Sequence, residues 1–294
     1  MDAVRTELPE LLLHRWGIAE AEVAELSGGM NSRTWLVRGR SGRWVAKLVP
    51  HDRGDALRAG LRLAAVVESA GIETGAPRPT LDGAVVVGIR QGWLALLAWV
   101  AGTPLRGDPG AQPLIGETLA RAHTALAGVR AQGLAAWHWV DPTAPHLDVE
   151  PWVRDAVSAG VRQWESIAGL PHTWGGLHGD PAPDAFRFRA TDRRCGLIDW
   201  GSAVYGPLLY DLASAVMYVG GPEAAGALID SYRASGPLGG QEIEVGLSRM
   251  VRFRWAVQAD YFARRLRAGD LTGIDDAAEN LTGLRDARRH LPPL

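Results

Sequence analysis

GLHGDPAPDAFRFRATDRRCGLIDWGSAVYGPLLYDLA, residues 176–213, decides how this chain is read. Two acids stand out, Asp180 in His-Gly-Asp and Asp199 in Ile-Asp-Trp. Between them lie a Pro-rich turn and two short apolar runs, 186–188 and 195–198. Short runs bounded by turn residues read as a β-hairpin, with one carboxylate at its entrance and the other at its exit. Two such acids can serve one phosphate: one takes the proton of an attacking hydroxyl and the other holds a magnesium ion. Singly, each acid has a plainer reading as a turn residue. Asp211, farther along in Tyr-Asp-Leu-Ala, reads as a helix-start acid that braces a loop. His178 is read as a residue that shapes the loop around Asp180.

Working outward, Lys47 is the one lysine in the chain, and every other permanently cationic side chain is arginine. It lies in Val-Ala-Lys within an alternating run, 44–49, that predicts a strand. A compact ammonium and a planar guanidinium do not substitute for one another at a tight phosphate site. Upstream, residues 24–37 predict a hairpin interrupted by Ser27, Gly28 and Gly29. Glycines there let backbone amides approach an anion, and Asn31 and Ser32 add donors. Residues 55–70 predict a helix that Asp55 could cap. Residues 84–89 and 93–100 predict two antiparallel strands, and the Gly102-Thr-Pro104 stretch after them is the best boundary between two halves. Beyond it, 114–126, 152–167, 222–231, 241–266 and 275–288 predict helices. His123 reads as a hydrogen-bonded packing residue, and 133–146 as either a lid or a loop packed by tryptophan.

Length and composition bound the rest. A chain of 294 residues holds one large domain or two lobes with ample core. With 47% hydrophobic and 22% charged residues it is globular rather than disordered. A net charge of −2 gives no nucleic-acid footprint. The single cysteine, Cys195, forms no intrachain disulfide and no cysteine zinc site, which fits a reducing cytoplasm. No run looks long enough for a membrane span, and residues 1–20 show no signal-type apolar block.

HGD, a Pro-containing turn, a strand, IDW and YDLA together resemble the aminoglycoside phosphotransferase and choline kinase group, from about residue 26 to about 218. The resemblance implies an α+β, bilobal, protein-kinase-like fold. Residues 1–102 would be a nucleotide-binding lobe with a five-stranded antiparallel sheet and a helix, and 103–294 a mostly helical catalytic lobe. It implies transfer of a phosphoryl group from ATP or GTP, with Mg2+, to a hydroxyl of a small molecule. By the same resemblance, Ser27, Gly28, Gly29, Asn31 and Ser32 cover the nucleotide phosphates and Lys47 pairs with them. Backbone groups of Ala98, Trp99 and Val100 meet the purine edge. Asp180 is catalytic, and Asp199 holds metal. The last long helices line the acceptor pocket, where Arg252, Tyr261 and an unpaired Asp260 are candidates, the last for a cationic acceptor.

Two positions depart from the family pattern. Arg58 stands where a helix glutamate usually orients the strand lysine, which leaves Asp55, Glu68 or no partner. Ala185 stands where an asparagine usually helps hold magnesium, and Asp184, one residue earlier, is the candidate replacement. These departures keep a kinase-like binding module without catalysis open. A kinase for Ser or Thr in a lanthipeptide-like precursor peptide is the other alternative.

Overall fold

The computed structural model describes residues 3–26, 31–137, 140–274 and 276–291. The first part is a helix, α1 (Ala3–Trp16), followed by strands β1 (Glu22–Leu26), β2 (Arg33–Gly39) and β3 (Gly42–Val49). Helix α2 (Gly54–Ser69) and strands β4 (Val87–Ile89) and β5 (Gly92–Ala98) complete it. The strands form one antiparallel sheet in the order β1-β2-β3-β5-β4, the five-stranded sheet expected. Side chains alternate across a strand. Trp44, Ala46 and Leu48 of β3 therefore join Val4, Leu8, Leu12 and Trp16 of α1 in one core. Val49 faces the other way and packs with Leu57 and Leu61 of α2. The same alternation puts Lys47 on the α2 side of the sheet. Asp55 does not cap α2. The residue at the cap is Arg53, and Asp55 lies in the first turn, where it accepts a hydrogen bond from Arg58 at 3.1 Å.

The chain then enters β6 (Thr103–Pro104), α3 (Gln112–Leu126), α4 (Val153–Glu165) and β7 (Trp174–Leu177). After these come β8 (Phe186–Arg189), β9 (Arg194–Leu197), β10 (Val204–Pro207), α5 (Leu209–Tyr218) and α6 (Gly226–Arg233). Two long-range helices close the fold, α7 (Gly240–Ala268) and α8 (Ala277–His290). The hairpin read from the sequence is β8–β9, with Phe186 opposite Leu197. A second pair, β7–β10, encloses it and was not legible in advance. Helix α7 packs against α4, α5 and α8, and it meets α4 so closely that a Cβ on Gly160 would lie 2.3 Å from that of Ala256. In the 133–146 stretch, of which 138–139 lie outside the described residues, Trp137 is buried with its ring 4.5 Å from Trp164 and 5.1 Å from Phe253, while Gly133, Ala135 and Ala136 are exposed.

The two cores meet at α2. Its first half faces the sheet, whereas Leu63, Ala64 and Val67 belong to the large helical core. Gly60 marks the transition, because a Cβ there would fall 2.0 Å from the backbone oxygen of Trp200.

Candidate active site

The 178–180 loop is set by its backbone partners. Both its leading amides donate to one carboxylate: His178 N–H to Asp211 Oδ2 at 2.6 Å, and Gly179 N–H to Asp211 Oδ1 at 2.9 Å. Asp211 is fully buried at the start of α5, as the loop-bracing reading requires. Its Oδ2 is also 3.3 Å from His123 Nε2, and His123 Nδ1 lies 2.7 Å from the hydroxyl of Tyr232. His123 is thus the hydrogen-bonded packing residue expected. A buried carboxylate with several partners is stable where an unpaired one is not. Gly179 has φ +87° and a Cβ on it would sit 2.0 Å from the Ser202 backbone oxygen, so only glycine fits between the two loops.

His178 ties the two acids of the motif together. Its Nε2 lies 2.8 Å from the Ile198 backbone oxygen, next to Asp199, and its Nδ1 lies 3.4 Å from the Asp180 N–H. Nε2 therefore carries the proton, which it donates to Ile198, and Nδ1 accepts.

Asp199 sits in the left-handed region, with φ +68° and ψ +59°, at the end of β9. A non-glycine residue seldom adopts that backbone, and its turn swings the carboxylate out of the hairpin. Its side chain is 60% exposed, and its Oδ1 accepts from Lys47 Nζ at 2.5 Å. The ammonium holds the Asp199 carboxyl down at about 2, against an ordinary 3.8. Lys47 is itself buried. The face of α2 beside this pair carries Leu57 and Leu61, which line a small cavity with Lys47, Thr74, Leu97, Asp199 and Trp200. No helix acid takes the usual place. Asp55 is held by Arg58, whose guanidinium also lies 4.1 Å from the Trp93 ring. Glu68 accepts from the amides of Thr74 and Ala76 and from the Thr74 hydroxyl. Asp199 is the carboxylate that receives the lysine.

Asp180 has partners that sequence reasoning missed. Its Oδ1 accepts from the Tyr218 hydroxyl at 2.6 Å and from Arg254 Nη2 at 2.8 Å. Arg254 is buried on α7, where its Nε donates to Ser214 Oγ at 3.1 Å and its Nη2 to the Tyr218 oxygen at 3.2 Å. Burial and the adjoining Asp180 carboxylate push the Tyr218 phenol well above its usual pKa, so it stays a donor. Burial works against the charge of Arg254, but the surrounding phenol oxygens and Asp180 more than offset it. Oδ2 of Asp180 makes no hydrogen bond among the described residues, and the side chain is 43% exposed. A signal for these partners existed. Asp211, Ser214 and Tyr218 share one face of α5 at helical spacing, and Arg254 follows the buried Leu247 and Met250 on α7.

The remaining candidates divide. Ala185 is buried in the helical core and has no side-chain oxygen, and its carbonyl accepts from the Ile198 N–H at 2.9 Å, while Asp184 is exposed one residue earlier. Ser27, Gly28 and Gly29 lie outside the described residues. Ser32 is buried, and exposed Asn31 accepts at 3.1 Å from the hydroxyl of Tyr261 on α7. Ala98 donates its N–H to the Ala76 backbone oxygen, which takes it away from any purine. Among the described residues the backbone groups of Trp99 and Val100 enter no hydrogen bond outside the sheet. Asp260 does not face an open pocket unpaired. It is 2% exposed, and its Oδ1 lies 2.6 Å from His146 Nε2. Arg252 is exposed on α7 outside this cluster, next to the α4 contact.

Magnesium takes one or two carboxylates, with water and phosphate oxygens completing its shell, rather than a protein cage. Exposed, ionised Asp199, with Asp184 exposed at the start of the same hairpin, fits that demand. No group of three or more His, Cys, Asp or Glu side chains converges among the described residues.

The model of a phosphotransferase enzyme family matches residues 22–244, more than half of the chain. The chain belongs to that family. The structure of this phosphotransferase is similar to that of amicoumacin kinase hAmiN in complex with AMP-PNP, Ca2+ and Ami, with a TM-score of 0.74 at 12% identity over 97% of this chain and 92% of that one. It is also similar to choline kinase LicA from Streptococcus pneumoniae, at 0.70 and 13% over 99% of both chains. The GDP complex of wild-type aminoglycoside 2'-phosphotransferase-IIIa gives 0.66 and 17% over 98% and 97%. No curated protein sequence matches the chain. At such identities the likeness establishes the kinase-like fold, and family membership carries the reaction class, phosphate transfer to a hydroxyl. Among the described residues no helix of the phosphotransferase is long and apolar enough to cross a membrane.

Proposed function

We propose that this protein transfers the γ-phosphoryl group of ATP or GTP, with magnesium, to a hydroxyl of a small molecule. The observation that carries the reading is the contact between Lys47 and Asp199, residues 152 positions apart, with Asp180 fastened to the same hairpin through His178. Lys47 thereby meets Asp199 on the α2 face of the central strand, and His178 links the Asp180 loop to the residue beside Asp199. In this reading residues 1–102 hold the nucleotide and 103–294 supply the catalytic and acceptor surfaces. The start of β6 pairing at Thr103 supports that division.

Lys47 grips phosphate oxygens, and backbone groups at Trp99 and Val100 meet the base. A magnesium ion held by Asp199, with Asp184 as a second oxygen donor, supplies neutralisation of phosphate charge. Asp180 keeps Oδ1 on Arg254 and Tyr218 and turns Oδ2 to the acceptor hydroxyl. Because the transition state of phosphoryl transfer is loose, aligning that hydroxyl matters more than removing its proton early. Asp180 takes the proton late, as the new P–O bond forms and the nucleoside diphosphate leaves.

The test is Asp180→Ala in an assay of nucleoside diphosphate release over a panel of hydroxyl compounds. Transfer should fall by about 10²–10⁴-fold, the usual worth of a positioned base. Nucleotide binding measured by calorimetry should persist. Robust transfer by the variant overturns the role of Asp180.

A further inference from the structure

We infer that the acceptor is an uncharged hydroxyl compound, and that Arg254 is the residue that turns polycations away. This rests on the reading that Asp180 faces the acceptor. A hydroxyl acceptor must come within hydrogen-bond reach of that carboxylate. A polycationic acceptor would bind through carboxylates whose charge is not already matched, since the attraction depends on uncompensated charge in a partly dry site.

The 178–180 loop, α5 and the C-terminal half of α7 supply the partners of Asp180, and among the described residues none of these elements carries an exposed, unmatched carboxylate. Asp180 is matched by Arg254 at 2.8 Å. Asp211 is fully buried under two backbone amides and His123. Asp260 is buried against His146. Asp270, just past α7, pairs with Arg265 at 3.1 Å and also lies in the field of Arg53. Asp199 is matched by Lys47, and Asp184 lies on the same hairpin, on the side where the proposed function would place a divalent ion.

What the surface does offer is hydrogen bonding without net charge. Tyr218 holds one oxygen of Asp180, and Nη1 of Arg254 makes no hydrogen bond among the described residues, so it remains a donor for an acceptor oxygen. Tyr261 and Gln258 continue the same stripe of α7 at helical spacing from Arg254 as neutral polar groups, with the Tyr261 hydroxyl already donating to Asn31 and Gln258 Nε2 to Gly283 O. Donors and one directed acceptor suit a polyol, sugar or nucleoside. An ammonium, which only donates, would meet a guanidinium.

The experiment has a binding arm and a turnover arm. In the first, kanamycin and spermine are titrated against wild type, Arg254→Gln and Arg254→Lys at low ionic strength, where screening is weakest, with thermal shift as the readout. Wild type and Arg254→Lys should show no saturable shift. Arg254→Gln, which uncovers the Asp180 charge, should bind kanamycin at least about tenfold more tightly than wild type. Rescue by lysine separates charge from packing. In the second arm, myo-inositol, glucose and uridine are compared with choline and kanamycin for diphosphate release by wild type with Mg2+ and ATP or GTP. The best neutral compound should exceed the best cation by at least about tenfold in kcat/KM. Saturable kanamycin binding by wild type, or kanamycin turnover that equals that of the neutral compounds, overturns the inference, as does a folded Arg254→Gln that gains no kanamycin binding. Diphosphate release with no compound of either class counts against the kinase reading instead, and the binding arm then decides the charge argument alone. If Arg254→Gln does not fold, wild type and Arg254→Lys decide it: saturable kanamycin binding by either one overturns it.

Discussion

Asp180 and Arg254 allow a sharp test of the clamp that holds the site. The perturbation is a cycle of Asp180→Asn, Arg254→Met and the double variant. Nη2 and Oδ1 are 2.8 Å apart, which puts the charge centres about 4 Å apart and their attraction at about 4 kcal/mol for an effective dielectric near 20. Two discounts apply. The Asp180 side chain is 43% exposed, so water screens part of the field, and holding Arg254 at 8% exposure carries a desolvation cost. A net coupling of about 1–2 kcal/mol remains. Asparagine still offers Arg254 an oxygen, and Ser214 and Tyr218 keep their contacts with it, so the Asp180→Asn single variant should lose about 1–2 kcal/mol. Arg254→Met strips Ser214 and Tyr218 of a donor as well and should lose about 2–3 kcal/mol. Urea unfolding of the four proteins, followed by far-UV circular dichroism, measures each term, and nucleotide binding checks that the sheet is intact. Losses that add to within about 0.5 kcal/mol would show that the pair is not coupled and would refute the argument.

Three further outcomes follow from the same geometry. Lys47→Arg should lose most transfer activity, because the buried ammonium touches Asp199 and a fork-shaped guanidinium does not fit the same space; unchanged steady-state kinetics would show the lysine to be incidental. The Asp199 carboxyl, lowered to about 2, contributes stability that is complete above its ordinary 3.8 and is lost as pH falls toward 2. Acid titration of the metal-free protein should show that slope, and Lys47→Met should flatten it. Its size is modest, since the carboxylate is largely exposed. Gly179→Ala should cost about 2–4 kcal/mol or prevent folding, because its Cβ collides with the Ser202 carbonyl at a positive φ; a thermal midpoint like that of wild type contradicts the close approach.

Much of the frame was legible because its signals are local. The alternation through 44–49 placed a strand, and the structure shows that Lys47 lies on its α2 side. The turn residues after Asp180 and the apolar runs on either side of 190 gave the β8–β9 hairpin. Asp211 was readable as a brace because it opens an apolar helix with nothing else to do there. What was not legible depends on partners far apart in the chain. Asp260 looked available, and its partner His146 lies 114 residues away. Asp55 looked like a cap, yet Arg58 one turn on takes it and the cap position falls to Arg53. Ala98 looked free to meet a base, and Ala76, on the segment leading away from α2, had already claimed its amide. Arg254 was hidden by its type: arginine on a long charged helix is usually solvated, and only its place among Met250, Phe253 and Val257 betrayed a buried one.

Gly60 has a consequence for the site. With its α-carbon against the Trp200 carbonyl, and Leu63, Ala64 and Val67 rooted in the helical core, α2 is bolted to the loop that follows Asp199. So fastened, α2 holds its place beside the sheet while Lys47 meets Asp199 with no acid of that helix between them. A side chain at position 60 would force α2 away from that loop, which carries the acid that Lys47 meets.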